Sequence, residues 1–192
     1  MRQHGPWQVV QEELVYADPW IRVRKDDVIR PDGLPGIHTV IHLKPGVSVL
    51  ALDEDRNVYL TEEFHYGVGR VTLEVVSGGC EPDEDPLHTA RRELEEELGI
   101  TASQWDDLGV CDPFTANVVS PTRLYLAREL HFGATAPEGT ERIRCVKMTF
   151  HEAIAAVMES RITHGPSCLA ILKAAHVLQV RAGKNERGQA SM

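Results

Sequence analysis

Positive charge, long apolar runs and paired cysteines are all scarce in this chain, and each shortage removes a class of function. Lysine and arginine number 20 against 29 aspartate and glutamate residues, a net charge of −9. Proteins bind a phosphate backbone by neutralising it with cations, so a nucleic acid is not an expected partner. An anionic small molecule is compatible, because bound cations invert the local field. No apolar run approaches the roughly 20 residues that a membrane-crossing helix needs. The opening M-R-Q-H-G-P-W has no apolar core of signal-peptide length. Cysteines stand at 80, 111, 145 and 168 with no C-x-x-C pair, so zinc ligation is not expected. Reduced thiols in a cytoplasmic protein are the default. There is no internal repeat and no low-complexity segment. A length of 192 residues suits one domain with at most a small appendage.

What the chain does have is concentrated between Gly78 and Ile100, G-G-C-E-P-D-E-D-P-L-H-T-A-R-R-E-L-E-E-E-L-G-I. Asp85 suits an N-cap and Pro86 the first helical position, where no backbone N–H is needed. Leu87, Ala90, Leu94 and Leu98 recur at helical spacing as a buried stripe, and Gly99 ends the helix. Beside that stripe Glu93, Glu96 and Glu97 share a sector of about 100°. Like charges so placed repel by roughly 0.2–0.5 kcal/mol per pair. A hard divalent cation held by carboxylate oxygens would offset that repulsion. The plain alternative is a solvated acidic face.

The wider pattern separates the two. Gly78, Glu84, Arg92, Glu93, Glu96, Glu97 and Gly99, with apolar Leu94 and Ile100 between and after them, resemble the full signature of the Nudix hydrolases. Seven fixed identities at about 7% frequency match a given window by chance on the order of once in 10⁸. The resemblance implies an α+β Nudix fold, a mixed β-sheet sandwiched between helices. It also implies Mg²⁺- or Mn²⁺-dependent hydrolysis of a nucleoside diphosphate linked to another group.

Taken in order, the chain reads as strands at 9–15, 20–28 and 38–43, with turns at Ala17-Asp18-Pro19, Pro31-Asp32-Gly33 and Pro35-Gly36. This N-terminal antiparallel β extension of residues 1–45 resembles the sheet that the ADP-ribose pyrophosphatase branch uses for dimerisation and nucleoside contact. The Nudix domain is expected over 46–182 and a flexible tail over 183–192. Within the domain, 47–52 and 58–63 form a hairpin, and 71–76 is one strand feeding the motif. Strands at 105–110, 123–128 and 142–150 follow. Thr149 and Glu152 make a capping box for a helix with Ile154, Val157 and Met158 inward. A last helix over 167–180 turns Leu169, Leu172, Ala175 and Leu178 inward.

By motif match, Glu93, Glu96 and Glu97 are implied metal ligands, joined by the backbone carbonyl of Ser77. Arg92 and Glu84 orient them, and Gly78 and Gly99 shape the turn and the helix end. Glu96 and Glu97 also count as catalytic. The base is expected from the loop 133–142, with Glu141 favoured over Glu138. Glu74 lies where the branch carries a glutamate that touches substrate or metal; a sheet-edge ion pair is the alternative. His65, His88 and His164 read as satisfied surface histidines. Trp7, Trp20 and Trp105 read as packing residues, although Trp20 is placed to stack on a base.

Length, N-terminal sheet and Glu74 favour ADP-ribose or a nucleotide sugar as substrate. Three departures keep other substrates open, namely Val76-Ser77 before the glycine, Phe64-His65-Tyr66 where an arginine is usual, and Phe114-Thr115-Ala116-Asn117 after the motif. A dinucleoside polyphosphate or nucleoside triphosphate hydrolase is one alternative, and a non-catalytic nucleotide sensor the other. A homodimer is the expected assembly.

Overall fold

The computed structural model describes residues 1–134 and 142–189, the last ten of these in backbone only. Strands β1 (Arg2–His4), β2 (Trp7–Ala17), β3 (Ile21–Ile29), β4 (Pro35–Leu43), β5 (Gly46–Leu52), β6 (Asn57–His65), β7 (Arg70–Glu74) and β8 (Val76–Gly79) lead to helix α1 (Pro86–Leu98). Then come β9 (Ile100–Cys111), β10 (Val118–Val119), β11 (Thr122–Phe132), β12 (Arg144–Thr149), α2 (Phe150–Met158) and α3 (Gly165–Gln189). They form two compact units, residues 1–45 with 112–121, and residues 46–111 with the chain from 122 onward.

The first unit is a five-stranded sheet in the order β1-β2-β3-β4-β10. Its first four strands are antiparallel, and the β2–β3 turn is held by Asp18, whose carboxylate accepts from the backbone N–H groups of Trp20 and Ile21 at 2.8 and 2.7 Å. The fifth strand comes from the connection between β9 and β11. There Val118 pairs with Ile41 in parallel, and the Ile41 N–H donates to the Asn117 carbonyl at 2.8 Å. The sequence alone shows this stretch as a plain link. Pro35 and Gly36 sit inside β4 rather than in a turn, at a strand start where a missing proline N–H costs least.

In the second unit a mixed sheet runs β12-β6-β5-β11-β9, with β5 and β11 parallel and the other neighbours antiparallel. Alternation along β11 splits the core in two. Leu124 and Leu126 point to the face packed by α2 and α3, and Tyr125 and Ala127 to the face packed by α1. Ala90, Leu94 and Leu98 anchor α1 there. Complete burial of a leucine such as Leu94 contributes about 1.5–3 kcal/mol.

The approach to the motif is not one strand. Strand β7 pairs with β6 (Thr61 opposite Glu74), while β8 pairs with β5 (Ser48 opposite Ser77). Strands β5 and β6 pair directly at Ala51–Tyr59 and Leu52–Val58, then part, and β7–β8 fill the fork. Val75, fully buried, is the residue at which the chain changes partners.

The helices on the other face differ from the sequence reading. In α3 Ala170, Ile171 and Ala174 are fully buried, Leu169, Ala175 and Leu178 pack against the same core as read, and Leu172 is 40% exposed. In α2 Phe150, Ala153 and Ala156 are buried and Ile154 and Val157 pack against the core as read, while Met158, the last helical residue, is 73% exposed. The backbone of α3 stays helical through Gln189, past Gly183 where a flexible tail was expected. Ala182, Lys184, Glu186 and Arg187 are good helix formers, which accounts for the extension.

Candidate active site

Helix α1 is built as its local chemistry dictates. The Asp85 carboxylate caps it by accepting from the Leu87 N–H at 2.8 Å, and Gly99 closes it in the left-handed region at φ 63°. Arg92 then organises the acidic face. Its Nη1 lies 2.9 Å from Glu93 Oε1 and donates to Glu96 Oε2 at 3.0 Å, while Nε and Nη2 donate to the two oxygens of Glu84 at 3.3 and 3.4 Å. Glu84 also accepts from the Glu81 N–H and meets His88 Nδ1, each at 3.0 Å. Glu95, in a free position of the motif, is exposed.

Hydrogen bonds from Arg92, with the Glu81 amide, hold the Glu84 carboxyl down to about 2, from 4.5, and the same contact raises the Arg92 guanidinium. A depressed folded value means that the stability Glu84 contributes is complete above pH 4.5 and lost as pH falls towards 2. Glu84→Gln is therefore expected to lower the denaturation midpoint at pH 7 and to converge on the parent near pH 2. A constant gap across that range in denaturant titrations would remove the Glu84–Arg92 pair as the source.

Gly78 faces α1 from β8. A Cβ built there would overlap Glu93 Cδ and Oε1 and stand 2.5 Å from Cγ, so the bare backbone is what lets the Glu93 carboxylate lie against the turn. Ser77, one residue earlier, turns to the opposite face. Its hydroxyl donates to the Val75 carbonyl at 3.0 Å and lies 2.9 Å from the Ser48 hydroxyl.

Among the described residues no three His, Cys, Asp or Glu side chains converge as a finished ligand group. Glu93 and Glu96 are drawn to Arg92, and Glu97 is half-buried one turn on from Glu93. The donor set still fits a hard divalent ion. It consists of carboxylates and the backbone of a glycine turn, and the missing Cβ of Gly78 makes the cradle that keeps them adjacent.

The remaining sequence candidates fall in different places. Glu74 is 8% exposed and has internal partners for both oxygens. Thr72 donates to Oε1 at 2.7 Å, and His164 Nδ1 lies 3.0 Å from Oε2, with His65 Nδ1 at 3.8 Å. Burial would raise its carboxyl, but hydrogen bonds from His164 and Thr72 hold it below its ordinary value. Both oxygens thus meet groups of this chain, the arrangement that the ion-pair alternative describes. His65 and His164 are thus partners of a buried carboxylate, and only His88 is an exposed histidine on the acidic face. Trp20 is 71% exposed and does not pack; Trp7 stands edge-on to His38 and Trp105 to Tyr125. Glu138 and Glu141 lie outside the described residues.

Sequence reasoning missed Ser48 and Ser167. The latter is fully buried, and its hydroxyl accepts from the Val75 N–H at 3.0 Å. No local pattern marks either residue, since each partner is 29 or 92 positions away. The first unit has a cavity of about 430 Å³ lined by Trp7, Arg24, Asp26, His38 and Asn117 among others. In it the Arg24 guanidinium grips the buried Asp26 at 2.7 and 2.9 Å, and His38 Nδ1 is buried without a hydrogen-bond partner.

Residues 42–163 match the NUDIX domain, and residues 7–41 match the nucleoside diphosphate sugar hydrolase N-terminal domain. A methanol dehydrogenase activator of Bacillus methanolicus is 24% identical over 169 residues, covering 85% of this chain and 90% of its own. An ADP-ribose pyrophosphatase of Bacillus subtilis (strain 168) is 25% identical over 172 residues with the same shares. The crystal structure of an ADP compounds hydrolase superposes with a TM-score of 0.80 over 94% of this chain and 98% of its own, and at 17% identity it speaks for the fold alone. The mixed sheet between helices is accordingly the Nudix fold, whose members generally need divalent metal ions. No described helix is long and apolar enough to cross a membrane. The chain belongs to the NUDIX family and is a Nudix pyrophosphohydrolase.

Proposed function

We propose that the enzyme hydrolyses the pyrophosphate bond of ADP-ribose or a nucleotide sugar, releasing a nucleoside monophosphate, with Mg²⁺ or Mn²⁺ as cofactor. The observation that carries this is the contact of Gly78 with Glu93 beneath an arginine that holds Glu84, Glu93 and Glu96. Supporting it are the nucleoside diphosphate sugar hydrolase N-terminal domain over residues 7–41 and the similarity to a B. subtilis ADP-ribose pyrophosphatase.

Glu93, Glu96, Glu97 and the Ser77 carbonyl would hold the cation, which neutralises diphosphate charge and makes bound water a nucleophile at neutral pH. Arg92 orients Glu93 and Glu96, and Glu84 fixes Arg92. Glu141, or Glu138 three residues earlier, takes the proton from the attacking water. Trp20 and the cavity around Trp7 and His38 are assigned to nucleoside contact, since both offer aromatic surface and the cavity adds polar groups.

A panel of nucleoside diphosphate conjugates with each metal, scored for released nucleoside monophosphate, tests the reading. ADP-ribose or a nucleotide sugar should lead it. Preference for a dinucleoside polyphosphate or a triphosphate would overturn the substrate assignment.

The same reading makes the protein a cytoplasmic homodimer built on the first unit. Strand β2 leaves Leu14, Val15 and Tyr16 more than half exposed, apolar surface that a second copy would cover. Light scattering is expected to give twice the 21.4 kDa chain mass. A monomer at micromolar concentration would remove the dimer.

A further inference from the structure

The turn that carries Ser77 and Gly78 is held on one face by Glu93. Its other face is held by groups that the reaction does not use. Where the chain leaves β6 for β5, Val75 is the odd residue, and its N–H goes to no strand. It donates instead to the Ser167 hydroxyl at 3.0 Å, near the start of α3. His164, just before that helix, presents Nδ1 to the same hydroxyl at 2.8 Å and to Glu74 Oε2 at 3.0 Å. Thr61 closes the arrangement by donating its hydroxyl to the Glu74 carbonyl at 3.3 Å. Both ends of the single Glu74–Val75 peptide, its carbonyl and its N–H, are thereby tied to β6 and α3. The Val75 carbonyl in turn accepts from the Ser77 hydroxyl.

Each of these groups is costly to leave unpaired. Ser167 and Val75 are fully buried, and a buried donor without a partner costs free energy. The structure therefore favours one position of this turn. We propose that Ser167 and His164 are positioning residues for metal binding, setting where the Ser77–Gly78 backbone stands against Glu93 through Val75 and Glu74. The proposal rests on the reading that Ser77 and the α1 glutamates hold the cation. Neither residue touches substrate or metal in it. The start of α3 acts as an outer support of the kind whose loss typically weakens metal affinity 10–100-fold.

The test is equilibrium binding of Mn²⁺, by titration calorimetry or electron paramagnetic resonance, on the full chain without substrate. Ser167→Ala and His164→Ala are expected to raise the Mn²⁺ dissociation constant at least about tenfold. His164→Asn, which places an amide N–H near the position of Nδ1, should recover most of that loss. The Val75 amide, read by hydrogen exchange, should lose protection in Ser167→Ala.

A generally loosened helix is separated by Ile171→Val. It trims a fully buried residue one turn along α3 and should lower the melting temperature without changing Mn²⁺ affinity. If Ser167→Ala fails to fold, the half-exposed His164 pair of variants carries the test. Parent-like Mn²⁺ affinity in His164→Ala, alongside a weakened Glu93→Gln, would overturn this inference and leave the metal reading standing. Loss in Ile171→Val equal to that in His164→Ala would overturn it as well. A parent protein that binds no Mn²⁺ would overturn the metal reading, and this one with it.

Discussion

Glu97→Gln is expected to lower kcat by on the order of 10²–10³, the loss typical of removing one preorganised group that stabilises charge in the transition state. The substitution keeps the shape of a half-buried side chain one helical turn from Glu93 and removes its charge. Cation binding should weaken with it. Glu141→Gln should behave differently. General-base assistance is worth about 10²–10⁴ in rate, so kcat should fall by that factor with KM little changed and cation affinity intact. Steady-state kinetics as a function of Mg²⁺ separates the two patterns. A Glu97→Gln enzyme with parent kcat would end its role as a ligand. Near-normal turnover in Glu141→Gln, with Glu138→Gln slow, would move the base three residues upstream.

The second large effect belongs to a glycine. Gly78→Ala puts a methyl where Glu93 Cδ and Oε1 already are, so either the carboxylate or the strand must move. Its φ lies outside the left-handed region, which makes this a demand for room and not for unusual backbone. Overpacking of this kind costs typically about 1–3 kcal/mol of stability. A misplacement of about 1 Å in a catalytic array costs roughly 10²-fold in rate. Both should appear together in Gly78→Ala, in a denaturant titration and in kcat. An alanine enzyme of parent activity would show that Glu93 need not lie against the turn.

Where interactions are local, the sequence was readable. Asp85, Pro86, Leu94 and Gly99 fix α1 within a single continuous segment, and the Thr149–Glu152 box starts α2 by short-range chemistry. Arg92 reaches Glu84, Glu93 and Glu96 within eight positions, so motif spacing was enough to assemble that cluster. The break at Val75 was not readable. Val71 to Val76 has uniform strand chemistry, and only the parting of β5 and β6, settled by distant residues, divides it. His164 reads as a surface residue because its carboxylate partner is far away in the chain, on β7. In α3 the fully buried residues are alanines around Ile171, small side chains that do not stand out in a sequence; Leu169, Ala175 and Leu178 pack beside them as read, and Leu172 does not.

Strand β10 bears on how this protein can be taken apart. The two family domains meet between residues 41 and 42, yet the outermost strand of the first sheet is Val118–Val119, supplied from far inside the NUDIX segment. A chimera made by exchanging residues 1–45 with a relative would inherit a foreign β4 beside the resident β10. Cutting after residue 45 would leave the backbone of Ile41 and His42 as a bare sheet edge, a template for aggregation. Recombination therefore has to carry residues 112–121 along with the N-terminal segment, and a shuffled gene needs three crossovers, after residues 45, 111 and 121, not one.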